Sequence, residues 1–396
     1  MVPNPVESSP VVVVGGGFGG LTTALALSHC HPRPAIVLIE PQRQFVFLPL
    51  LYELLSGEMQ PWEVASSYEE LLSDRGIAIL KERVVQINAT DQTLTTNSGL
   101  KIAYAQLVLS TGSKPADFSI PGVQQHALSF HRLEDVEPLR QRIRDLKQES
   151  RPAGAESPAL VIVGAGPTGV ELACKLADLL KGAAQLHLIE LAERVLPQAK
   201  AFNRQQAERA LQSHDVRLHL GTSVLQITPE DVICQRLPQE SSATAAVFRL
   251  THAGVIWAAG TRPVIPLIEP EPELINGRLP IDGTLQVTGL DQVVALGDAS
   301  CHVEHPWPST AQVALQQGQA AARTVMALRR QNTPEAFEFN DLGEMLSLGI
   351  GEATLTGLGV TLAGPLAFKL RRIAYLTRMP GLSQGLRSAG AWLIRH

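Results

Sequence analysis

The stretch Val11-Val12-Val13-Val14-Gly15-Gly16-Gly17-Phe18-Gly19-Gly20 decides the fold of this chain. Its four β-branched residues predict a strand buried on both faces of a parallel sheet. The apolar spacing of Leu21–Leu27 predicts a helix directly after the glycines. Glycines at such a strand-to-helix turn let the backbone approach a pyrophosphate, and the helix N-terminus offers unpaired N–H groups to the phosphate oxygens.

A carboxylate completes this dinucleotide fingerprint. Ala35–Ile39 is the next predicted strand, and Glu40 follows it twenty residues after Gly20. A carboxylate at that place can accept hydrogen bonds from ribose hydroxyls. The alternative, an ordinary exposed acid after a strand, is disfavoured by the spacing. The residues assigned to this first cofactor site are Gly15, Gly17, Phe18, Gly19, Gly20 and Glu40.

The same pattern occurs a second time, in Leu160-Val161-Ile162-Val163-Gly164-Ala165-Gly166-Pro167-Thr168-Gly169. Val170–Leu180 is its predicted helix, Gln185–Ile189 its next strand and Glu190 its acid. Two fingerprints in one chain indicate a flavoprotein that receives electrons from a nicotinamide. The residues assigned to the second site are Gly164, Gly166, Pro167, Thr168, Gly169 and Glu190.

The two acids also bear on the choice of cofactors. The first fingerprint with Glu40 recognises an adenosine half, which favours FAD over FMN. Glu190 favours NADH, because a carboxylate repels the 2′-phosphate of NADPH. Arg194 and Arg204 lie near it in sequence, and they leave NADPH open.

Composition narrows the class of protein. A chain of 396 residues with 45% apolar and 18% charged residues is a folded protein of two or three domains. Residues 1–10 show neither the basic nor the apolar region of a secretory signal. The four cysteines, Cys30, Cys174, Cys234 and Cys301, are widely spaced. They predict no metal site and argue against flavoenzymes that use a redox dithiol.

Charge is distributed unevenly along the chain. No Asp or Glu follows Glu352, whereas residues 353–396 carry six cations, so the net charge of −5 leaves residues 1–352 at −11. This is not a nucleic-acid-binding profile. It suggests that the C-terminal end meets an anionic surface.

The order of motifs predicts a discontinuous domain. In each half, a predicted strand is followed by a turn of small residues, Ser110-Thr111-Gly112 in the first and Ala258-Ala259-Gly260 in the second. Between the halves we predict a charged helix, Arg132–Gln148, and a linker, Arg151–Pro158. Late in the chain, Val293–Leu296 is a strand followed by Gly297-Asp298, whose acid can bond a ribityl hydroxyl. The alternative is an ordinary turn aspartate.

We therefore expect an α/β protein with two Rossmann-like dinucleotide-binding domains, a two-dinucleotide-binding flavoprotein fold, and a C-terminal membrane-docking segment. The predicted bounds are 1–122 with 282–332 for the FAD domain, 123–281 for the NAD(P)H domain and 333–396 for the C-terminal region.

At this point the chain resembles the type II NADH:quinone oxidoreductases. Phe47-Leu48-Pro49-Leu50-Leu51-Tyr52-Glu53-Leu54-Leu55-Ser56-Gly57-Glu58 is similar to the flavin-side segment of that family. Ala311-Gln312-Val313-Ala314-Leu315-Gln316 is similar to the string the family uses at its quinone site. Trp62-Glu63-Val64-Ala65 most resembles the cyanobacterial and plastid branch, which includes demethylphylloquinone reductases.

The resemblance implies roles for individual residues. Gln312 and Gln316, four apart on one helix face, would contact a quinone carbonyl, although solvent-facing glutamines are the alternative. Glu171 would face nicotinamide and flavin as a positioning or proton-handling group; the alternative is an acid favoured by the helix dipole. These three are the candidate catalytic residues. The further cofactor contacts implied are Pro49, Leu50, Val84, Thr111, Gly112, Gly260, Gly297 and Asp298.

The C-terminal region is read as a peripheral membrane contact. Helical projection places an apolar set on one face and a mixed set of cations and large apolar residues on the other. The first set is Leu366, Ala367, Leu370, Ile373 and Ala374, and the second is Arg371, Arg372 and Arg378 with Phe368, Tyr375 and Met379 among them. Trp392 adds an interfacial aromatic. The family docks this region on a membrane, here the cytoplasmic face of a plasma or thylakoid membrane, and often forms homodimers. Docking to a protein partner or self-association is the alternative.

The predicted activity is a hydride relay from NADH through FAD to a membrane quinone, without proton pumping. The quinone could be demethylphylloquinone (a demethylnaphthoquinone), although the residues do not distinguish it from plastoquinone or menaquinone. Two rivals remain open: a soluble NADH-dependent ferredoxin or rubredoxin reductase, and a non-enzymatic flavoprotein that senses NADH. The ferredoxin or rubredoxin reductase would have no use for the glutamine string or the cationic tail, and a steady-state assay with NADH and a menaquinone analogue separates all three possibilities.

Overall fold

The computed structural model describes residues 9–149, 156–238 and 246–380. The strands are β1 (Val11–Val14), β2 (Ile36–Ile39), β3 (Gln44–Val46), β4 (Ala65–Ser67), β5 (Ile77–Leu80), β6 (Val84–Asn88), β7 (Thr93–Thr96), β8 (Lys101–Ala103), β9 (Gln106–Leu109), β10 (Ser113–Pro115), β11 (Ala127–Ser129), β12 (Ala159–Val163), β13 (Gln185–Ile189), β14 (Arg217–His219), β15 (Thr222–Ile227), β16 (Asp231–Arg236), β17 (Ala246–Thr251), β18 (Gly254–Trp257), β19 (Thr261–Pro263), β20 (Leu267–Glu269), β21 (Leu279–Ile281), β22 (Val293–Ala295), β23 (Ser300–His302), β24 (Glu344–Gly349), β25 (Glu352–Gly357) and β26 (Val360–Gly364). The helices are α1 (Phe18–Ser28), α2 (Leu51–Ser56), α3 (Pro61–Val64), α4 (Tyr68–Leu72), α5 (Val123–His126), α6 (Val136–Gln148), α7 (Pro167–Leu180), α8 (Ala201–Ser213), α9 (Ala311–Arg329) and α10 (Pro365–Leu376).

The described chain divides into two compact units. Unit 1 comprises residues 9–46, 65–114 and 262–340, and unit 2 comprises residues 47–64, 115–261 and 341–380. The units differ in extent from the nucleotide-binding domains predicted above, most clearly because residues 47–64 pack within unit 2.

Unit 1 is built on a five-stranded parallel sheet in the order β22-β9-β1-β2-β5. The four valines of β1 are fully or almost fully buried, as a central strand covered on both faces requires. The late strand β22 pairs with β9 at one edge. A mixed sheet, β20-β6-β7-β8, lies beside it in the same unit.

Helices α1 and α9 approach each other closely in unit 1. A Cβ on Gly318 of α9 would lie 2.6 Å from the carbonyl oxygen of Gly19 in α1. A Cβ on Gly19 would in turn lie 2.1 Å from a methyl group of Leu296. The absence of a side chain at Gly318 therefore lets α9 pack directly against the backbone of α1 at Gly19.

Unit 2 repeats this sheet plan. Its parallel sheet has the order β11-β18-β12-β13-β14, with the strand that precedes the glycine turn again in the centre. An antiparallel sheet, β15-β16-β17, packs on it and shares its core, which includes Val161, Val163 and Trp257. A second antiparallel sheet, β24-β25-β26, together with α10 forms the last part of the described chain.

Most elements predicted around the two fingerprints are confirmed. Strands Val11–Val14 and Gln185–Ile189 have the predicted bounds. Both helices begin earlier than predicted, at Phe18 and Pro167, directly after the middle glycine of each turn. The charged helix after Arg132 starts with a 3₁₀ turn, Leu133–Asp135, before α6. Most of the predicted linker lies outside the described residues.

The two faces of α10 correct one expectation about the tail. Arg371 and Arg372 do lie opposite Leu366, Leu370 and Ile373, but the arginines are buried and the three apolar residues are exposed. Arg371 is therefore not a surface cation, because buried acids within unit 2 pair with it. Trp392, Arg387 and Arg395 lie outside the described residues. Among the residues described, no helix has the length and apolar character needed to cross a bilayer.

Candidate functional site

In the first glycine turn, backbone atoms crowd Gly15 and Gly20, whereas Gly17 is open. A Cβ on Gly15, whose φ is +96°, would lie 2.4 Å from the carbonyl oxygen of Ser110, and one on Gly20 would lie 1.9 Å from that of Gly15. Around Gly17 no atom lies within 4 Å of a Cβ position. The outer glycines are thus required by the fold, whereas the middle one leaves space at the N-terminus of α1 that a pyrophosphate could fill.

The second turn has the same geometry within unit 2. Gly164 has φ +101°, and its Cβ would meet the carbonyl oxygen of Ala258 at 2.7 Å. A Cβ on Gly169 would lie 1.8 Å from the carbonyl oxygen of Gly164, while Gly166 again faces open space. Pro167 and Thr168 begin α7, and proline suits this position because its missing N–H has no helical partner there.

The two predicted ribose-binding carboxylates are held by backbone N–H groups in the same manner. Each accepts one bond from its own glycine turn and one from the residue two places further on. The four bonds join Gly16 N to Glu40 Oε2 (2.7 Å), Gln42 N to Glu40 Oε1 (2.8 Å), Ala165 N to Glu190 Oε2 (2.6 Å) and Ala192 N to Glu190 Oε1 (2.9 Å). Both carboxylates are therefore fixed at the ends of β2 and β13, where a ribose would lie.

The late turn of unit 1 presents Asp298 beside small polar groups. Ser113 donates a hydrogen bond to Asp298 Oδ2 at 2.6 Å, and the N–H of Gly297 donates to Gln317 Oε1 at 2.8 Å. The hydroxyl of Thr111 donates to the carbonyl oxygen of Val264, which fixes the turn that contains Gly112. These predicted contacts thus lie in one unit with the first glycine turn.

The remaining predicted cofactor contacts divide between the units. In unit 1, Phe18 packs edge-to-face on Phe45, with ring centroids 5.2 Å apart, and Val84 begins β6. Pro49, Leu50 and Gly260 belong to unit 2. The Leu50 side chain is fully buried there, so only its backbone remains available to a ligand.

The two glutamines of the predicted quinone string differ in their surroundings. Gln312 lies in the first turn of α9 and is partly buried. Gln316 lies one turn later, and its side-chain amide makes two bonds with the backbone of Asn340: Nε2 donates to the carbonyl oxygen at 2.8 Å, and Oε1 accepts from the N–H at 3.0 Å. Gln316 therefore anchors the segment after α9.

Glu171 lies in a buried cluster of charged groups in unit 2. Its Oε1 accepts a bond from the N–H of Ser347 at 2.7 Å and lies 3.5 Å from Nη2 of Arg371. Burial raises the pKa of Glu171 to about 7, although Arg371 and the Ser347 bond lower it. A carboxyl group with such a pKa can gain and lose a proton near neutrality, as a proton-handling role requires.

Several residues at these sites were missed from the sequence. They have in common that their partners are distant in the chain, and they are Glu53, Tyr68, Ser110, Ser113, Lys175, Gln317 and Arg371. Tyr68, for example, donates to the carbonyl oxygen of Gly16 at 2.8 Å and covers the glycine turn. Of these residues, Lys175 could have been recognised from the sequence, because it is a cation between the apolar residues Cys174 and Leu176.

Two Rossmann-like units, each with a glycine turn and a fixed carboxylate, define a two-dinucleotide-binding flavoprotein fold. Comparison with known proteins agrees with this class. Residues 9–318 match the family described as pyridine nucleotide-disulphide oxidoreductase. The chain belongs to this family. All four of its cysteines are free thiols, and no disulfide is present.

Individual relatives are more specific. The chain is 36% identical to a demethylphylloquinone reductase of Synechocystis, over 97% of this chain and 96% of that protein. It is 31% identical to an alternative NAD(P)H-ubiquinone oxidoreductase of Arabidopsis thaliana, over 97% and 80%. In fold it matches the NDH2 of Plasmodium falciparum, solved with NADH, with a TM-score of 0.84, 16% identity and 96% coverage of each chain. The resemblance to type II NADH:quinone oxidoreductases is confirmed.

Proposed function

We propose that this protein oxidises NAD(P)H and reduces a membrane quinone through FAD. The observation that carries the proposal is the duplicated site, with an open middle glycine and a fixed carboxylate in each unit, in a chain whose relatives are named as quinone reductases. The net reaction takes one hydride from the nicotinamide and one proton from the medium, and yields the quinol. When bound, FAD accepts the electron pair and passes it to the quinone.

Unit 1 is the proposed FAD site. Gly17 leaves room for the pyrophosphate, Glu40 accepts from the adenosine ribose, and Asp298, held by Ser113, accepts from the ribityl chain. Each of these groups is fixed by bonds to the protein, so binding needs little rearrangement.

Unit 2 is the proposed nicotinamide site, with NADH preferred over NADPH. Both oxygens of Glu190 already accept backbone N–H groups, so the carboxylate cannot turn away from a 2′-phosphate. Arg204 is partly engaged with the carbonyl oxygen of Ala199. Comparing kcat/KM for the two nucleotides tests this preference.

For the quinone, we propose that Gln312 contacts a carbonyl oxygen and that Gln316 chiefly holds the adjoining segment. Gln312→Ala should impair quinone turnover and spare flavin reduction by NADH. Gln316→Ala should in addition lower thermal stability, because it removes both bonds to Asn340. Equal loss of flavin reduction and quinone turnover in Gln312→Ala would contradict its role.

We further propose peripheral docking on an anionic lipid membrane through α10. Leu366 and Ile373 are 59% and 56% exposed, and Leu370 lies between them on the same face. Leu358 and Val360 add exposed apolar groups at the β25–β26 turn. The occupant is taken to be a lipid bilayer because the proposed substrate dissolves there, and because the exposed Lys369 suits anionic headgroups.

Vesicle flotation tests the docking. Leu366→Glu with Ile373→Glu should reduce binding to anionic vesicles at least tenfold, whereas Leu267→Glu, a control in unit 1 that is also highly exposed, should not. Retained binding of the double variant would contradict the proposal. The cytoplasmic face of a plasma or thylakoid membrane and a homodimer are proposed on the family resemblance alone.

A steady-state assay tests the activity as a whole. The FAD-loaded protein should oxidise NADH with a water-soluble menaquinone analogue as acceptor. We propose a demethylated naphthoquinone as the preferred substrate, so 1,4-naphthoquinone should be reduced with a higher kcat/KM than its 2-methyl form. Negligible quinone reduction, with transfer only to ferredoxin or rubredoxin, would refute the quinone assignment.

A further inference from the structure

The inward face of α10 carries a fully buried guanidinium. Arg371 has no exposed surface, although the helix ends only a few residues later. A charge in such a place must be compensated by partners, because removing it from water is otherwise very unfavourable. The identity of these partners suggests what Arg371 does.

Two carboxylates compete for Arg371. Its Nη1 donates to Oε1 of Glu53, a fully buried acid of α2, while Nη2 donates to the carbonyl oxygen of Pro49 at 2.8 Å and lies 3.5 Å from Oε1 of Glu171. The guanidinium also lies 4.8 Å from the centroid of the Tyr375 ring. Arg371 thus links α2, which carries Glu53, to α7, which carries Glu171.

The surroundings of Glu171 come from four elements. Besides Arg371 on α10, the groups that act on it are Glu53 on α2, Lys175 on α7 and the Ser347 N–H on β24. The titratable groups Tyr52 on α2, Cys174 on α7 and Tyr375 on α10 also lie within its electrostatic reach. Burial disfavours its charged form and so does Glu53, whereas Arg371, Ser347 and Lys175 favour it. The cation nearest to it is Arg371.

We propose that Arg371 is a positioning residue for Glu171, and that Glu53 restrains Arg371 so that the two carboxylates share one cation. Glu171 is thereby held by the same helix whose outer face is exposed and apolar. The role in turnover rests on the proposed function, but the shared cation itself does not.

The arrangement predicts opposite effects from the two partners. Arg371→Met removes the nearest cation, so the pKa of Glu171 should rise. Glu53→Gln removes a neighbouring negative charge and frees Arg371 to pair fully with Glu171, so the pKa should fall. A purely structural role would give no such opposition, because either variant would then only loosen the same contact.

Infrared titration of the FAD-loaded protein measures this directly. The carbonyl band of protonated Glu171 is identified by its loss in Glu171→Gln. Its midpoint should lie near pH 7 in the unsubstituted protein, given a pKa of about 7. It should move up by about one pH unit or more in Arg371→Met and down in Glu53→Gln, as expected for an ion at this distance.

Further variants protect the test against misfolding. Arg371→Met leaves the buried Glu53 without its cation, whereas the double variant Glu53→Gln with Arg371→Met removes both charges, and its midpoint should return towards pH 7. Arg371→Lys should retain most of the cation's effect. Lys369→Met, which removes an exposed cation of the same helix, is the matched control and should leave the midpoint unchanged.

The pH profile of NADH oxidation with a soluble quinone provides the second readout. Its midpoint should follow the infrared midpoint in each variant. Movement in the same direction for Arg371→Met and Glu53→Gln, or no movement in Arg371→Met, would overturn the proposal. An intact infrared pattern without quinone turnover would instead refute the proposed function and leave the shared cation standing.

Discussion

Replacing Gly20 by alanine and, separately, Gly17 by alanine should separate folding from cofactor binding in unit 1. A Cβ on Gly20 would lie 1.9 Å from the carbonyl oxygen of Gly15, which is 1.5 Å inside the 3.4 Å of ordinary contact, and 2.2 Å from Oγ of Ser110. Because the closer atom belongs to the backbone, it cannot rotate away. Overpacking of this kind costs about 1–3 kcal/mol, more than the roughly 1 kcal/mol that alanine gains in a helix. Gly20→Ala should therefore be destabilised by about 2 kcal/mol.

For Gly17→Ala we expect the opposite: little change in stability and weaker binding of FAD. Gly17 has φ −63° and ψ −167°, an extended conformation that alanine adopts, and open space surrounds its Cβ position. Alanine is a poorer N-cap than glycine, but it also loses less chain entropy on folding, and the two effects nearly cancel at about 0.5 kcal/mol each. The methyl group would occupy the proposed pyrophosphate position, so FAD affinity should fall at least tenfold, or about 1.4 kcal/mol.

Denaturant unfolding of the FAD-free protein, followed by circular dichroism, measures the first effect, and titration with FAD followed by flavin fluorescence measures the second. Gly166→Ala provides the matched control, since it should spare FAD binding and weaken NADH binding instead. FAD binding by Gly17→Ala as tight as that of the unsubstituted protein, or unfolding as ready as that of Gly20→Ala, would contradict a pyrophosphate position at Gly17.

Three further outcomes are expected. Glu190→Gln should lower the ratio of kcat/KM for NADH to that for NADPH about tenfold, since it removes the charge that repels the 2′-phosphate; an unchanged ratio would mean that Glu190 does not face the ribose. Lys175→Met should lower the free energy of unfolding by about 3–5 kcal/mol in urea titrations, because Glu58 loses the fully buried cation of its ion pair, and the double variant with Glu58→Gln should recover part of this loss. The free energy of unfolding should also fall as pH drops from about 6.5 towards 4. Burial, His219 and Arg217 lower the pKa of His187 to about 4, so in this pH range the unfolded chain binds a proton that the folded chain does not. His187→Gln should flatten this dependence of stability on pH, and an equally steep dependence in the variant would assign it to other groups.

Local sequence pattern was sufficient to predict both glycine turns. The strand Val11–Val14 is apolar on both faces and central in its sheet, and the spacing from the glycines to Glu40 and Glu190 follows from one strand, one helix and a second strand. The sequence also predicted that the two turns are alike, because each is formed by a short, local stretch of chain with the same pattern. The middle glycine of each turn faces open space for the same reason.

The site around Glu171 could not be predicted from local sequence pattern in this way. Glu53 and Arg371 are separated by 318 residues, and no periodicity marks either as a partner of the other. Helical projection assigned Arg371 and Leu366 to opposite faces correctly, yet it could not tell which face is buried. Gln316 likewise followed a family motif, but its bonds to Asn340 depend on how the chain continues after α9.

The sequence by itself determined the two dinucleotide turns, their acids and the order of the elements, because short-range sterics and hydrophobic period act within a few residues. Only the tertiary structure decided which face of α10 is buried and which acids share its arginine. That choice depends on the total free energy of packing: Arg371 is buried together with the apolar inner face of α10, and the carboxylates of Glu53 and Glu171 compensate its charge.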